Sequence, residues 1–243
     1  MNNIAFMYTD QYRVAYIAIN SLLKYNKCKL ILYVDNNVTN EFFNKINSNI
    51  NKIDVCRIPD SDWKDKIAFD KINCLNKINF KEGDRVFVLD SDIIITDNIF
   101  DIFEREKDID VFVTAEHDGY QRDVNGGVWA FKYSDTIKRF LQFQVEQLLN
   151  PTWEPYKEYR KQYKHRHLRW SIGQDFLNVI YKHQLPFDCT VKNMGFKYNF
   201  AFIPKKHKPV EELLKDKDIK ILHFNGIGKK IMLKNLIKSS YKV

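Results

Sequence analysis

Through its first half the chain sets short apolar runs between segments whose apolar residues recur at helical spacing. Residues 4–7, 30–34, 53–58 and 85–89 read as strands, and residues 14–23, 40–46 and 67–75 between them read as helices. This alternation predicts βαβ units and a mostly parallel sheet buried on both faces. Further on, a short helix is expected near residues 99–103 with Asp97 or Asn98 as its N-cap. Strands are expected at 111–114 and 127–133, and Ser134 or Asp135 should cap a long helix with Ile137, Leu141, Val145 and Leu148 on its apolar face. A helix at 174–181, a strand at 219–223 and a weakly amphipathic basic helix at 229–243 complete the pattern. The stretch PTWEPYKEYRKQYKHRHLRW, residues 151–170, breaks it. Aromatic and basic with little periodicity, it reads either as a solvated loop and helix or as a mobile flap that binds an acceptor.

Composition narrows this picture. With 243 residues, 44% hydrophobic and 14% aromatic, the chain can bury a sizeable core, and the sparse Gly (8) and Pro (6) leave no evident linker, so one α/β domain over 1–243 is expected. A net charge of +8 suits an anionic ligand such as a nucleotide, but alone does not choose one. Cys28, Cys56, Cys74 and Cys189 have no CxxC spacing, so neither a zinc site nor a disulfide scaffold is expected, and a reducing, cytoplasmic setting is the natural one. The opening MNNIAFMYTD reads as a first strand, not a signal peptide. No apolar run approaches the ~18 residues of a membrane span.

The tripeptide DSD occurs twice, at Asp60–Asp62 and at Asp90–Asp92, and the pattern D-x-D recurs at Asp108/Asp110 and Asp216/Asp218. Three copies lie among polar residues, where Asp commonly forms turns. The copy at Asp90 instead follows RVFVL and precedes IIIT. Two carboxylates that interrupt an apolar, β-branched run are costly unless they face a cleft or a cation. In an extended chain, residues i and i+2 project to one side, so Asp90 and Asp92 would address one hard cation while Ser91 points away. The pair also falls at the carboxyl end of a strand, where ligands gather in open α/β sheets. A divalent ion held there keeps positions open for the oxygens of a diphosphate.

At these residues the sequence resembles the GT-A fold glycosyltransferases, and among them family 8, which includes glycogenin and bacterial lipopolysaccharide galactosyl- and glucosyltransferases. The resemblance implies an α/β, Rossmann-like nucleotide-binding fold, with a mostly parallel mixed sheet flanked by helices. In AFMYTDQYRVAYIAINSLLKY, the positions of Thr9, Asp10 and Tyr12 match those that contact uracil and ribose. Lys71 matches the basic residue one helix before the DxD strand, which would reach the diphosphate or the donor sugar. Asp90 and Asp92 match the metal pair, and Ser91 between them counts among the nucleotide-contacting positions. VNGGVWAFK is similar to the strand whose Asn125, Gly126 and Gly127 would contact the donor sugar. In SIGQDFLN, Gln174, Asp175, Leu177 and Asn178 fit a D-Q-D-x-L-N pattern, but Gly173 stands where the first Asp belongs. In ILHFNGIGKK, His223 would be the third metal ligand, while Gly226 and Lys229 would meet the diphosphate. Lys230-Ile231 replaces the customary Pro-Trp. Imidazole ligation suits Mn2+ better than Mg2+.

The expected activity is therefore metal-dependent transfer of a hexose from a UDP-sugar to a hydroxyl acceptor, with retention at the anomeric carbon. Asp175 and Gln174 are the candidates nearest the reacting carbon, and a front-face route needs neither as a nucleophile. A sugar-nucleotide-forming nucleotidyltransferase is one rival, although MYTDQYRVA lacks the glycine-rich loop expected of it. A non-enzymatic basic protein binding nucleic acid or membrane is another. The enzyme reading calls for no nucleic-acid partner. It is compatible with weak contact between the Lys-rich tail and the cytoplasmic membrane face. His117, His165, His167, His183 and His207 read as solvated or structural.

Overall fold

The computed structural model describes residues 1–9, 12–34, 53–57, 67–114, 124–162, 168–203, 206–224, 230 and 232, with the side chains of 8, 9, 12, 13, 53–57, 67–70 and 168–172 outside the description. A seven-stranded sheet carries most of the chain, in the order β3-β2-β1-β4-β7-β6-β8. Its strands are β1 (Asn3–Thr9), β2 (Lys29–Val34), β3 (Ile53–Arg57), β4 (Arg85–Asp90), β6 (Val111–Thr114), β7 (Asn125–Lys132) and β8 (Val191–Asn193). All run in one direction except β7, which is antiparallel to both of its neighbours. The sheet is thus mixed and mostly parallel, as the alternating pattern predicts.

Both faces are buried, and the two-residue period of the strands divides the core between them. In β4, Val86 and Val88 join one apolar cluster while Phe87 and Leu89 join the other. The first cluster lies under α2 (Ile67–Lys77), α4 (Asp135–Leu149) and α6 (Leu168–Lys182), the second under α1 (Tyr12–Tyr25) and α3 (Ile102–Arg105). Ser134 caps α4 by accepting from the Ile137 amide at 3.3 Å. Such a cap contributes about 1 kcal/mol.

A second sheet, β5-β10-β9, is built from β5 (Ile93–Ile95), β10 (Ile221–His223) and β9 (Phe200–Ala201). β10 runs antiparallel to β5 and parallel to β9. A third cluster lies beneath it, including Val14 and Ile17 of α1, Ile94, Phe202, Leu222, Phe224 and Met232. The strand expected at 219–223 begins at Ile221, so residues 219–220 fall just outside it.

Two further expectations change. The short helix begins at Ile102, not near residue 99, and Asp101 stands at its N-cap without a side-chain bond to the helix amides. Asp97 and Asn98 spend their carboxylate and amide oxygens one turn earlier, accepting from the amides of Asn98 and Phe100. Residues 151–162 are not simply solvated either. Helix α5 (Glu154–Gln162) buries Tyr156 completely, with its ring 5.4 Å from that of Phe176. Trp153 packs on Phe143 at 5.8 Å, and Gln147 Oε1 accepts from the amides of Thr152 and Trp153. One aromatic face on an otherwise polar helix is enough to dock it. Residues 163–167, the helix expected at 40–46 and nearly all of 229–243 lie outside the described residues.

Among the described residues, no helix is long and apolar enough to cross a membrane. Cys28, Cys74 and Cys189 form no disulfide among the described residues. Burial pushes Cys28 and Cys189 up to about 12, so at neutral pH they stay protonated and are poor nucleophiles.

Candidate functional site

β4 ends at Asp90 because the chain bends there, at Ser91 and Asp92, before β5 begins. The two aspartates therefore do not share a side through the pleat of one continuous strand, as the sequence pattern suggests. They sit at the joint between the two sheets, and the bend turns both carboxylates to one point. Ser91 and Asp92 are both buried.

The second sheet supplies the third group. β10 pairs His223 opposite Ile93, the Phe224 amide donates to the Asp92 carbonyl at 2.7 Å, and the Phe202 amide donates to the His223 carbonyl at 2.8 Å. Ser21 of α1 steadies β5 by accepting from the Ile95 amide at 3.0 Å. At its far end Lys220 donates to the Asn98 carbonyl at 2.7 Å and pairs with Asp101 at 2.8 Å and Asp97 at 3.2 Å. This register holds His223 Nε2 3.2 Å from Asp92 Oδ1. One ligand atom each from Asp90, Asp92 and His223 lies within 4.8 Å of the others.

Two more features converge on the cluster. Lys71 of α2, itself buried, donates to Asp90 Oδ1 at 2.8 Å. Gly127 of β7 lies so close that a β-carbon there would stand 2.5 Å from His223 Cε1, 2.7 Å from Asp90 Oδ2 and 2.9 Å from Asn125 Oδ1. Neither Gly126 nor Gly127 has a positive φ, so their value is close approach and not a turn. Gly126 faces α6: a β-carbon there would stand 2.9 Å from Gln174 Cβ, and its amide donates to Gln174 Oε1 at 3.1 Å. Asn125 Oδ1 accepts from the Gly127 amide at 2.7 Å.

The residues present suit a hard divalent cation. Two carboxylates and one imidazole offer oxygen and nitrogen donors, at a place where a side chain at position 127 would collide with them. With a neutral imidazole whose proton is on Nδ1, the Nε2 lone pair faces the Asp92 oxygen at 3.2 Å, and a positive charge shared by both turns a repulsion into binding.

The structure thus gathers Asp90, Asp92, His223, Lys71, Asn125, Gly126, Gly127 and Gln174. Asp175 is buried beside them on α6, with the Tyr159 hydroxyl of α5 3.4 Å from its Oδ1. Asn178 fixes the start of β7 by accepting from the Val124 amide at 2.8 Å. Thr9 ends β1 and Tyr12 begins α1, with side chains outside the description; Asp10, Gly226 and Lys229 lie wholly outside it. Two other D-x-D copies serve structure: Asp110 exchanges bonds with Thr190, and Asp216 accepts from the Asp218 amide. The copy at Asp60 is outside the described residues. His207 accepts from the Ile203 amide, and His183 is exposed.

Sequence reasoning missed Asn199 and Thr114, which stand behind His223. Asn199 lies in a polar–aromatic stretch with no periodic or motif signal, and only the folded register brings it near.

Gly173, where the resemblance calls for Asp, sits inside α6 with only Ile72 Cγ1, at 3.9 Å, near a β-carbon among the described residues. Space does not force the glycine. Replacing it by alanine is expected to stabilise the protein by about 0.5–1 kcal/mol, read as a higher urea midpoint with unchanged slope.

At the level of sequence the chain matches no family model and no curated protein. In three dimensions it is similar to mouse xyloside xylosyltransferase 1 in its apo form, with TM-score 0.61 and 15% identity over 94% of this chain and 99% of that one. It is similar to the glycosyltransferase GlyE of Streptococcus pneumoniae TIGR4, with TM-score 0.59 and 20% identity over 93% of this chain but 54% of that one. An active-site mutant of LgtC matches with TM-score 0.57 and 14% identity over 92% and 87% of the two chains. The fold that these proteins share with this chain is GT-A.

Proposed function

We propose that this chain is a metal-dependent glycosyltransferase that moves a hexose from a UDP-sugar to a hydroxyl acceptor. The observation that carries this reading is the convergence of Asp90, Asp92 and His223 at the carboxyl end of β4, within 4.8 Å of one another, on a GT-A fold. Two carboxylates and an imidazole favour Mn2+ among the common divalent ions. Such an ion, when bound, supplies Lewis-acid stabilisation of the departing diphosphate.

The chain's own residues do the rest. Asp90 divides its carboxylate: Oδ1 is held by Lys71 Nζ at 2.8 Å, and Oδ2 lies on the side of Gly127 and the cation ligands. Lys71 therefore stands as a fixed positive charge beside the ligand set, ready to neutralise charge on a leaving phosphate oxygen without reorganising. Lys229 is assigned the same task, with Gly226 beside it. Gln174, tied to the Gly126 amide, and Asn125 border the donor sugar. Asp175 is the carboxylate available to the reacting face, and Tyr159 holds it. In the transfer, the bond from the anomeric carbon to the diphosphate oxygen breaks, the acceptor oxygen bonds to that carbon with retained configuration, and the acceptor proton leaves with the diphosphate. Residues 151–170 and the basic tail are assigned to the acceptor, and the setting is the cytoplasm.

A panel of nucleotide sugars incubated with Mn2+, with released nucleoside diphosphate measured, tests the reading. Slow hydrolysis of one UDP-sugar, abolished by a chelator, is the expected outcome. No turnover of any nucleotide sugar, together with no Mn2+-dependent affinity for UDP, would sink it.

A further inference from the structure

The His223 ring is held from behind by a directed chain of hydrogen bonds. Its Nδ1 lies 2.8 Å from Asn199 Oδ1, Asn199 Nδ2 donates to Thr114 Oγ1 at 2.8 Å, and the Thr114 hydroxyl donates to the Val128 carbonyl at 2.8 Å. Thr114 is 0% exposed, Asn199 1% and His223 1%, so no solvent competes for these bonds. The chain also crosses the joint in the fold. Val128 and Thr114 belong to β7 and β6 of the large sheet, Asn199 follows a 3-10 turn (Phe196–Tyr198), and His223 lies in the small sheet.

The direction follows from what each group can do. A main-chain carbonyl only accepts, so the Thr114 hydroxyl proton is committed to Val128. The Thr114 oxygen is left to accept from the Asn199 amide nitrogen, and this turns the Asn199 carbonyl oxygen to His223. That oxygen accepts only from N–H. A neutral imidazole must then carry its proton on Nδ1 and its lone pair on Nε2, the nitrogen nearest Asp92.

We propose that Asn199 is a positioning residue that fixes the tautomer and ring plane of His223, with Thr114 fixing Asn199 in turn. The assignment rests on reading Asp90, Asp92 and His223 as a cation site. The opposite tautomer would offer a proton where a lone pair is needed. Asn suits the position better than Asp because it donates onward to Thr114 and adds no charge at a place sealed from water.

The test has two readouts. On metal-free protein at pH 8, two-bond 1H–15N NMR of the imidazoles reports which nitrogen carries the proton, with the His223 signals assigned by their loss in His223→Gln. The wild type is expected to show the Nδ1–H form. Asn199→Leu removes the accepting oxygen and is expected to lose that preference; Asn199→Asp keeps an accepting oxygen and should retain it. Titration with Mn2+ alone, followed by the electron paramagnetic resonance signal of the free ion, is expected to show binding weakened about 10–100-fold in Asn199→Leu and by only a few-fold in Asn199→Asp. An Nε2–H imidazole in the wild type overturns the proposal. So does Asn199→Leu with wild-type tautomer and affinity, or Asn199→Asp as weak as Asn199→Leu. Should Asn199→Leu fail to fold, the wild-type spectrum and Asn199→Asp decide. A wild type that binds no Mn2+ refutes the cation site itself, while the spectrum still reports separately on what Asn199 does to the ring.

Discussion

Exchange of Asp90 and Asp92 together for asparagine is expected to remove Mn2+-dependent UDP binding and to lower nucleotide-sugar turnover about a thousandfold or more. The size follows from what the pair supplies. Removing one preorganised electrostatic donor from an active site commonly costs ~10²–10³ in rate, and this change takes both formal charges from the ligand set. The folded chain should survive it. Lys71 Nζ, 2.8 Å from Asp90 Oδ1, keeps an accepting oxygen after Asp90→Asn. At position 92 an amide gives His223 Nε2 a donor where a carboxylate now faces it at 3.2 Å. Urea unfolding of the metal-free double variant is therefore expected at a midpoint equal to or above that of the wild type, since groups assembled for a ligand are costly to the fold without it. Calorimetric titration with Mn2+ and UDP reads the binding. Wild-type affinities in the double variant would remove the cation site and the mechanism with it.

Gly127→Ala comes next in size. The added methyl would stand 2.5 Å from His223 Cε1, 2.7 Å from Asp90 Oδ2 and 2.9 Å from Asn125 Oδ1, all nearer than nonbonded atoms tolerate. None of these neighbours is a loose chain end. His223 is bonded to Asn199, Asp90 to Lys71, and Asn125 Oδ1 to the Gly127 amide itself. The ligands must part, so Mn2+ affinity is expected to fall at least ~10-fold, with an overpacking cost of about 1–3 kcal/mol in metal-free stability. Gly126→Ala is the contrasting variant. Its methyl meets Gln174 Cβ at 2.9 Å and not the cation ligands, so it should cost similar stability while Mn2+ affinity changes little. Equal Mn2+ affinity in Gly127→Ala and the wild type would mean that the cation, if bound, sits elsewhere.

The large sheet was legible because parallel strands buried on both faces read as near-continuous apolar runs, as in VFVL before Asp90. The small sheet was not. β5, β9 and β10 have three, two and three residues, too few for any period to show. The pair Asp90 and Asp92 stood out for a sound energetic reason, two carboxylates in an apolar run, yet the geometry that unites them is a bend between sheets. Gly126 and Gly127 were visible, but whether they serve a turn or a close approach depends on what lies opposite, and Gln174 is 48 positions from Gly126. Tyr156 shows the limit from the other side: flanked by Lys, Glu and Pro, it looks solvated until Phe176 is found against it. Asn199 gave no sign, because an amide among aromatics means nothing until its hydrogen-bond partners are known.

Asp92 and His223 are 131 positions apart, and they meet only because two very short strands zip together. A growing chain that has reached β8 already holds both aspartates and Lys71, yet it lacks His223. Loop closure over such a distance comes late in assembly. Competence for the ion should then appear in refolding as a separate, slower phase than growth of the large sheet, and tying β5 to β10 should be the step that sets its pace.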